Sequence, residues 1–268
     1  MTEIFNKPLV AVQDLSVHFG SITNPVRAVD GVNFQIFSGE IIALVGESGS
    51  GKSISALALA RLVPEPAGRI VGGKIVFQDV EPLKLKPSEL RKLRGARIAY
   101  IFQEPATSLN PVYTIGWQIG EAIRLHRKGV NVKTEVKKLL TDVGLPDPVR
   151  TAEAYPHQLS GGMQQRAMIA MALACNPELL IADEPTTALD VTVQKQILDL
   201  LVELREKRGL SILLITHNLG IVANIADRIY VMNKGRVVES GVTRTVLCTP
   251  QHDYTKKLLK AVPRLHKK

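Results

Sequence analysis

Gly46-Glu47-Ser48-Gly49-Ser50-Gly51-Lys52-Ser53 fits the spacing G-x-x-x-x-G-K-[ST]. Glycines at those positions let consecutive backbone N–H groups turn inward around a phosphate, and a helix opening at the end of the loop adds partial positive charge. Lys52 is the point charge that would reach the β- and γ-phosphates, and the Ser53 hydroxyl is an oxygen ligand suited to Mg2+. A second cluster, Asp183-Glu184, ends the apolar run Leu179–Ala182. Beside a phosphate loop, Asp183 is expected to hold Mg2+ through water and Glu184 to polarise an attacking water. Side chains alternate along a strand, so the two carboxylates need not share one role. His217 follows the run Ser211–Thr216, and Gln103 follows Ile98–Phe102. A neutral imidazole at 217 suits a hydrogen bond to a terminal phosphate, and the Gln103 amide suits Mg2+ or the water.

The segment Leu159-Ser160-Gly161-Gly162-Met163-Gln164 adds a different feature. Ser160 is placed to cap a helix that runs to about Cys175, where Asn176-Pro177 stops it, and the first N–H groups of that helix form a second anion site. An ordinary capped helix is the plain alternative. One nucleotide needs one cradle, so the second is expected to complete the site of another subunit.

The elements that position these residues alternate. Leu9 to Phe19 and Val32 to Phe37 read as strands separated by a turn from Gly20, and Ile41–Val45 is a short unbroken apolar run suited to a buried central strand. An apolar helix is expected over Ile54–Leu62. Val193, Ile197, Leu200, Leu201 and Leu204 share a helical face, as do Val136, Leu139, Leu140 and Val143, which Gly144 and Pro146 close. Strands alternating with helices imply an α/β fold with a mainly parallel sheet, whose ligands collect at the carboxyl ends of the strands. Helices alone fill the block from Pro105 to Pro156, which reads as an inserted lobe at 105–156 within a core of 1–104 and 157–250. Residues 251–268 read as a short basic tail.

Composition narrows the setting. The 268 residues are 45% hydrophobic and 22% charged, enough to build a core and incompatible with disorder, a collagen repeat or a disulfide scaffold. No run reaches the roughly 18 apolar residues that cross a bilayer, and Met1–Lys7 lacks a secretory pattern. Cys175 and Cys248, the two cysteines, suit a reducing compartment. A formal net charge of +9 favours anionic neighbours without choosing among nucleic acid, lipid, phosphate and acidic protein. Aromatic residues, at 4%, are not interleaved with the basic ones as base-stacking platforms would be.

Taken together, these motifs resemble the ATP-binding cassette (ABC) family over nearly the whole chain. Gly46–Ser53 is similar to its Walker A motif, Leu179–Glu184 to Walker B, Leu159–Gln164 to the signature, Gln103 to the Q-loop, His217 to the switch histidine and Ala188-Leu189-Asp190 to the D-loop. Phe19 stands where the family stacks an aromatic ring on adenine; a core phenylalanine is the alternative. The resemblance implies an ABC-type P-loop NTPase fold with an N-terminal antiparallel β subdomain and an inserted helical lobe. It further implies ATP and Mg2+ as ligands, Glu184 as general base, and a head-to-tail dimer. In that dimer ATP lies between Walker A of one subunit and Ser160, Gly161, Gly162 and Gln164 of the other.

Phe102-Gln-Glu-Pro-Ala-Thr-Ser-Leu-Asn-Pro111, Ala154-Tyr-Pro-His-Gln-Leu-Ser160, Asp183–Asp190 and Pro250-Gln-His-Asp-Tyr-Thr255 are similar to the dipeptide, oligopeptide and nickel importer ATPases. That group implies two transmembrane permeases, a second ATPase subunit, an extracytoplasmic binding protein, and a peripheral place on the cytoplasmic face of the inner or plasma membrane. Nickel or a metal chelate is the alternative cargo. No cysteine follows Cys248, so the iron–sulfur cluster of longer members is not expected. Tyr113, Ile115, Trp117, Ile119 and Ile123 lie where the family receives the permease, and lobe core is the other reading of each. An ABC-type ATPase acting on nucleic acid or ribosomes would show tandem cassettes or sustained heptads, so no nucleic-acid partner is expected. A small-molecule phosphotransferase leaves the second cradle without a use.

Overall fold

The computed structural model describes residues 7–187 and 189–261. In chain order the first segment carries β1 (Val10–Phe19), β2 (Val26–Ile36), β3 (Ile41–Val45), α1 (Lys52–Leu59) and β4 (Gly68–Phe77). The middle segment carries α2 (Pro87–Leu93), β5 (Ile98–Ile101), α3 (Pro105–Ser108), α4 (Ile115–His126), α5 (Val132–Asp142), α6 (Pro148–Glu153), α7 (Gly161–Leu173), β6 (Leu179–Asp183) and α8 (Val191–Arg208). The last carries β7 (Ser211–Thr216), α9 (Leu219–Ile225), β8 (Arg228–Asn233), β9 (Arg236–Val242), α10 (Thr243–Cys248) and α11 (Asp253–Ala261). The described residues form two compact units, one from residues 7–86 with 211–261 and the other from 87–187 with 189–210.

In the first unit, β1 lies between β2 and β4 in an antiparallel sheet. The sequence reading missed β4 because Gly72-Gly73 interrupts its apolar run, and glycine weakens a strand signal. The parallel strands run β7-β3-β8, and β9 joins β8 antiparallel. Every residue of β3 is buried, as its unbroken apolar run requires of a central strand. Val45 stands opposite Thr216, so the phosphate loop after β3 and His217 after β7 leave neighbouring strands at the same edge. Helix α1 begins at Lys52, two residues earlier than expected, and ends by Leu59 because Arg61 takes a left-handed conformation (φ 52°) that no helix continues. The start of the expected basic tail is helical, since Asp253–Ala261 forms α11; residues 262–268 lie outside the described residues, as does the Met1–Asn6 part of the N-terminal reading.

In the second unit, β5 and β6 pair in parallel with Ile101 opposite Ala182, which brings Gln103 and the Asp183-Glu184 pair to one strand end. Helices α4 to α7 pack on one another around Ile115, Ile119, Ile123, Leu139, Leu140 and Val143, all buried. Each such side chain withdrawn from water contributes roughly 1.5–3 kcal/mol. Gly144, with φ 69°, terminates the α5 segment as its sequence position suggests. In α8 the expected face is buried at Ile197, Leu200, Leu201 and Leu204.

Candidate nucleotide-binding site

The phosphate loop is built from backbone contacts. Gly46 and Gly51 have φ of 154° and 101°. A Cβ on Gly46 would sit 2.2 Å from the Met232 carbonyl oxygen of β8, and one on Gly51 would sit 2.3 Å from the Ala28 carbonyl oxygen of β2. Glycine is therefore required at both positions for steric as well as conformational reasons. Lys52 is buried, and its Nζ donates to the carbonyl oxygens of Gly46 (2.9 Å) and Glu47 (2.8 Å) and to Ser50 Oγ (3.4 Å). The ammonium is thus held over the loop. No side chain caps α1 at Gly51, and no acid lies in its first turn. An uncapped helix start with a fixed ammonium favours an anion at that place.

His217 is exposed, between the end of β7 and the start of α9. The next residue, Asn218, fixes the turn: its N–H donates to Thr216 Oγ1 at 3.0 Å, and its Oδ1 accepts from the Gly220 and Ile221 amides at 3.0 and 3.4 Å. Phe19, at the end of β1, is half-buried, with its ring against Gly68 so closely that a Cβ there would meet it at 2.8 Å. The loop is also held from later in the chain, where the Gly235 N–H donates to the Ser50 carbonyl at 3.0 Å. The Glu47 N–H donates to the hydroxyl oxygen of Tyr254 on α11 at 3.0 Å.

In the second unit, Asp183 is buried at the end of β6 and accepts a hydrogen bond from the Tyr100 hydroxyl at 2.7 Å. Burial, and then the adjacent Asp183 carboxylate, push the Tyr100 phenol far above its ordinary range, so it remains a donor. Sequence reasoning passed over Tyr100; its signal is a lone phenol on the otherwise apolar strand Ile98–Ile101. Glu184 has φ 45°, a left-handed conformation uncommon for a residue with a side chain. Its Oε2 accepts from Thr187 Oγ1 at 2.9 Å and from Gln103 Nε2 at 3.3 Å. Gln103, otherwise exposed, is thereby placed beside Glu184.

Ser160 caps α7 as expected, its Oγ accepting from the Met163 N–H at 3.4 Å. Gln164 Nε2 donates to the carbonyls of Pro156 (3.0 Å) and Leu159 (3.1 Å), which ties down the approach to that helix. Ser160 and Gly161 are exposed, and a Cβ on Gly162 would lie 2.8 Å from Val193 Cγ1 on α8. Asp190 caps α8, accepting from the Val193 N–H at 2.9 Å. Its neighbour Ala188 in the D-loop reading lies outside the described residues. The α4 region divides. Ile115, Ile119 and Ile123 are core, whereas Tyr113 and Trp117 are exposed and stacked on each other, 4.0 Å between centroids at 13°.

Residues 29–187 match the family described as ABC transporter. The dipeptide transport ATP-binding protein DppD of Escherichia coli (strain K12) is 51% identical over 258 residues, covering 95% of this chain and 78% of that protein. The peptidoglycan transport ATP-binding protein YejF of Agrobacterium fabrum is 52% identical over 266 residues, covering 98% of this chain and 49% of that one. Among solved structures, the dimeric post-hydrolysis ATP-binding cassette MJ0796, bound to ADP and Pi, superposes with a TM-score of 0.78 at 28% identity over 88% of this chain and 99% of its own.

Proposed function

Because the chain belongs to the ABC transporter family, we propose that it is the ATP-hydrolysing motor subunit of a membrane importer for di- or oligopeptides. The observation that carries this reading is the identity at half of all positions, across 95% of the chain, with a dipeptide transport ATP-binding protein. The phosphate loop gives it a chemical basis, with Lys52 fixed over an uncapped helix start.

In this reading the Gly46–Ser53 loop and Lys52 bind the phosphates, and Phe19 offers its partly open ring to the adenine. We assign Ser53, Asp183 and Gln103 to Mg2+, since hydroxyl, carboxylate and amide oxygens form the hard donor set that ion takes. When bound, Mg2+ neutralises charge on the β- and γ-phosphate oxygens. Glu184 is the general base that takes a proton from the attacking water, and His217 donates a hydrogen bond to the terminal phosphate. Ser160, Gly161, Gly162, Gln164 and Asp190 serve the nucleotide of a second ATPase subunit in a head-to-tail dimer. Closure of that dimer on ATP and its opening after hydrolysis drive two permeases fed by an extracytoplasmic binding protein. No helix among the described residues is long and apolar enough to cross a membrane. In this proposal the subunit meets the cytoplasmic face through its permeases.

Tyr100 enters as the residue that orients Asp183. Tyr100→Phe keeps the ring and removes the donor. It should raise the Mg2+ concentration that half-saturates ATP hydrolysis by about tenfold or more, the usual cost of removing a metal ligand's hydrogen-bond partner. An unchanged Mg2+ titration would take Asp183 or Tyr100 out of the metal site.

The function is tested by purifying the tagged Glu184→Gln chain with ATP in gentle detergent and identifying its companions by mass spectrometry. Two multi-span permeases and a second cassette ATPase are expected; ribosomal proteins or nucleic acid without a membrane protein would overturn the importer reading. Adding Trp117→Ala should cut permease recovery by roughly thirtyfold, as truncation of a central aromatic anchor does. The same substitution should leave the fold and ATP binding intact, because Trp117 is exposed and the Ile115, Ile119 and Ile123 face is not touched.

A further inference from the structure

We propose that Tyr254 is a positioning residue of the phosphate loop: its hydroxyl oxygen accepts the Glu47 N–H and so holds the loop in the shape that receives a nucleotide. The inference rests on the nucleotide-binding reading given above and adds a control point outside the motifs that support it.

Glu47 is held on both of its backbone polar groups. Its N–H is taken by Tyr254 at 3.0 Å, while its carbonyl accepts from Lys52 Nζ at 2.8 Å and from the Ser50 N–H at 3.2 Å. The residue that fixes the ammonium is therefore itself fixed from α11, 207 positions away in sequence. A loop ordered in this way does not lose that freedom again on binding, and preorganisation of this kind raises affinity.

The anchor on the other side is itself tied down by hydrogen bonds. The Glu239 carboxylate of β9 accepts the amides of Gln251 (2.7 Å) and His252 (3.1 Å), and His252 Nδ1 accepts the Tyr254 N–H at 3.1 Å. Burial works against the charged form of Glu239, yet those amides hold its carboxyl below the ordinary range. Tyr254, Leu258 and Leu259 pack against the cluster that contains Ala43 and Val45 of β3, the strand that launches the loop. The run Gln251-His-Asp-Tyr-Thr255 thereby acquires a physical use: it delivers one phenol oxygen to one loop amide. Burial raises the Tyr254 phenol above its usual value, so it stays neutral at physiological pH.

The test is Tyr254→Phe in the full chain, which deletes the oxygen and keeps the ring in its packing. Amide hydrogen exchange at Glu47, read by NMR without nucleotide, should accelerate by about tenfold or more. The Kd for ATP, read by calorimetry, should rise about five- to tenfold, what the loss of one such hydrogen bond converts to. The melting temperature should stay within about 2 °C, in contrast to Leu258→Ala, which removes packing from the same helix and should lower it while leaving Glu47 exchange near its original rate. Unchanged ATP affinity in Tyr254→Phe, with or without faster exchange, would overturn the proposal. An unsubstituted chain that binds no ATP would instead sink the nucleotide reading, and Glu47 exchange would still decide whether Tyr254 holds the loop.

Discussion

Glu184→Gln is expected to bind ATP as tightly as the unsubstituted chain and to hydrolyse it at least about 100-fold more slowly, the lower end of what a positioned base contributes. The substitution is well matched to the local geometry. Glu184 Oε2 accepts from Thr187 Oγ1 and Gln103 Nε2, and a glutamine carbonyl can accept both bonds. What changes is basicity, since an amide cannot take a proton from water at neutral pH. Those two bonds hold the side-chain oxygen in place in both variants, so little of the loss should come from misplacement. Steady-state phosphate release, measured beside equilibrium binding of ATP, separates the two quantities. Hydrolysis at the original rate would remove Glu184 from the role of base.

Lys52→Ala is expected to weaken ATP binding by about 100-fold, because hydrogen bonds to a charged group contribute roughly 1.5–3 kcal/mol and this ammonium is the one the phosphate loop fixes in place. The alanine also leaves the Gly46 and Glu47 carbonyls without the donor they now share, so the loop itself should relax. Lys52→Arg tests the geometry. A planar guanidinium keeps the charge but cannot reproduce a compact ammonium directed at two carbonyls and Ser50 Oγ. Its ATP affinity should fall nearer to that of the alanine variant than to that of lysine. Binding isotherms for the three proteins decide the matter, and an alanine variant that binds as lysine does would place the phosphates elsewhere.

Much of this site is legible in the sequence because its chemistry lies in contiguous runs. Gly46–Ser53 needs only its own spacing and the apolar strand before it, and the helix after Ser160 is bracketed by that N-cap residue and the Asn176-Pro177 stop. The supporting contacts are not legible in that way. Tyr100 bonds Asp183 across 83 positions and Tyr254 bonds Glu47 across 207, so only the fold reveals that either pair meets. Strands β8 and β9 went unread although Arg228–Asn233 and Arg236–Val242 carry β-branched residues around a Lys234-Gly235 turn, a hairpin signal. At α4 the period itself held more than was taken from it. Ile115, Ile119 and Ile123 recur every four residues on one stripe, and Trp117 lies about 200° around the helix from Ile115, which is why one set is core and the other faces solvent.

The phosphate loop is confined by backbone carbonyls, those of Met232 and Ala28, at the two glycines where any side chain would collide. A wall made of main chain does not depend on which amino acid supplies it. The carbonyl wall is therefore the same whatever side chains stand at 28 and 232, although the buried Met232 side chain adds a contact of its own beside Gly51, while 46 and 51 admit one residue type each. At this contact the steric demand falls on the enclosed partner, so a library randomised at all four positions should return glycine alone at 46 and 51, several residue types at 28, and apolar ones at 232, where the side chain is buried in the core.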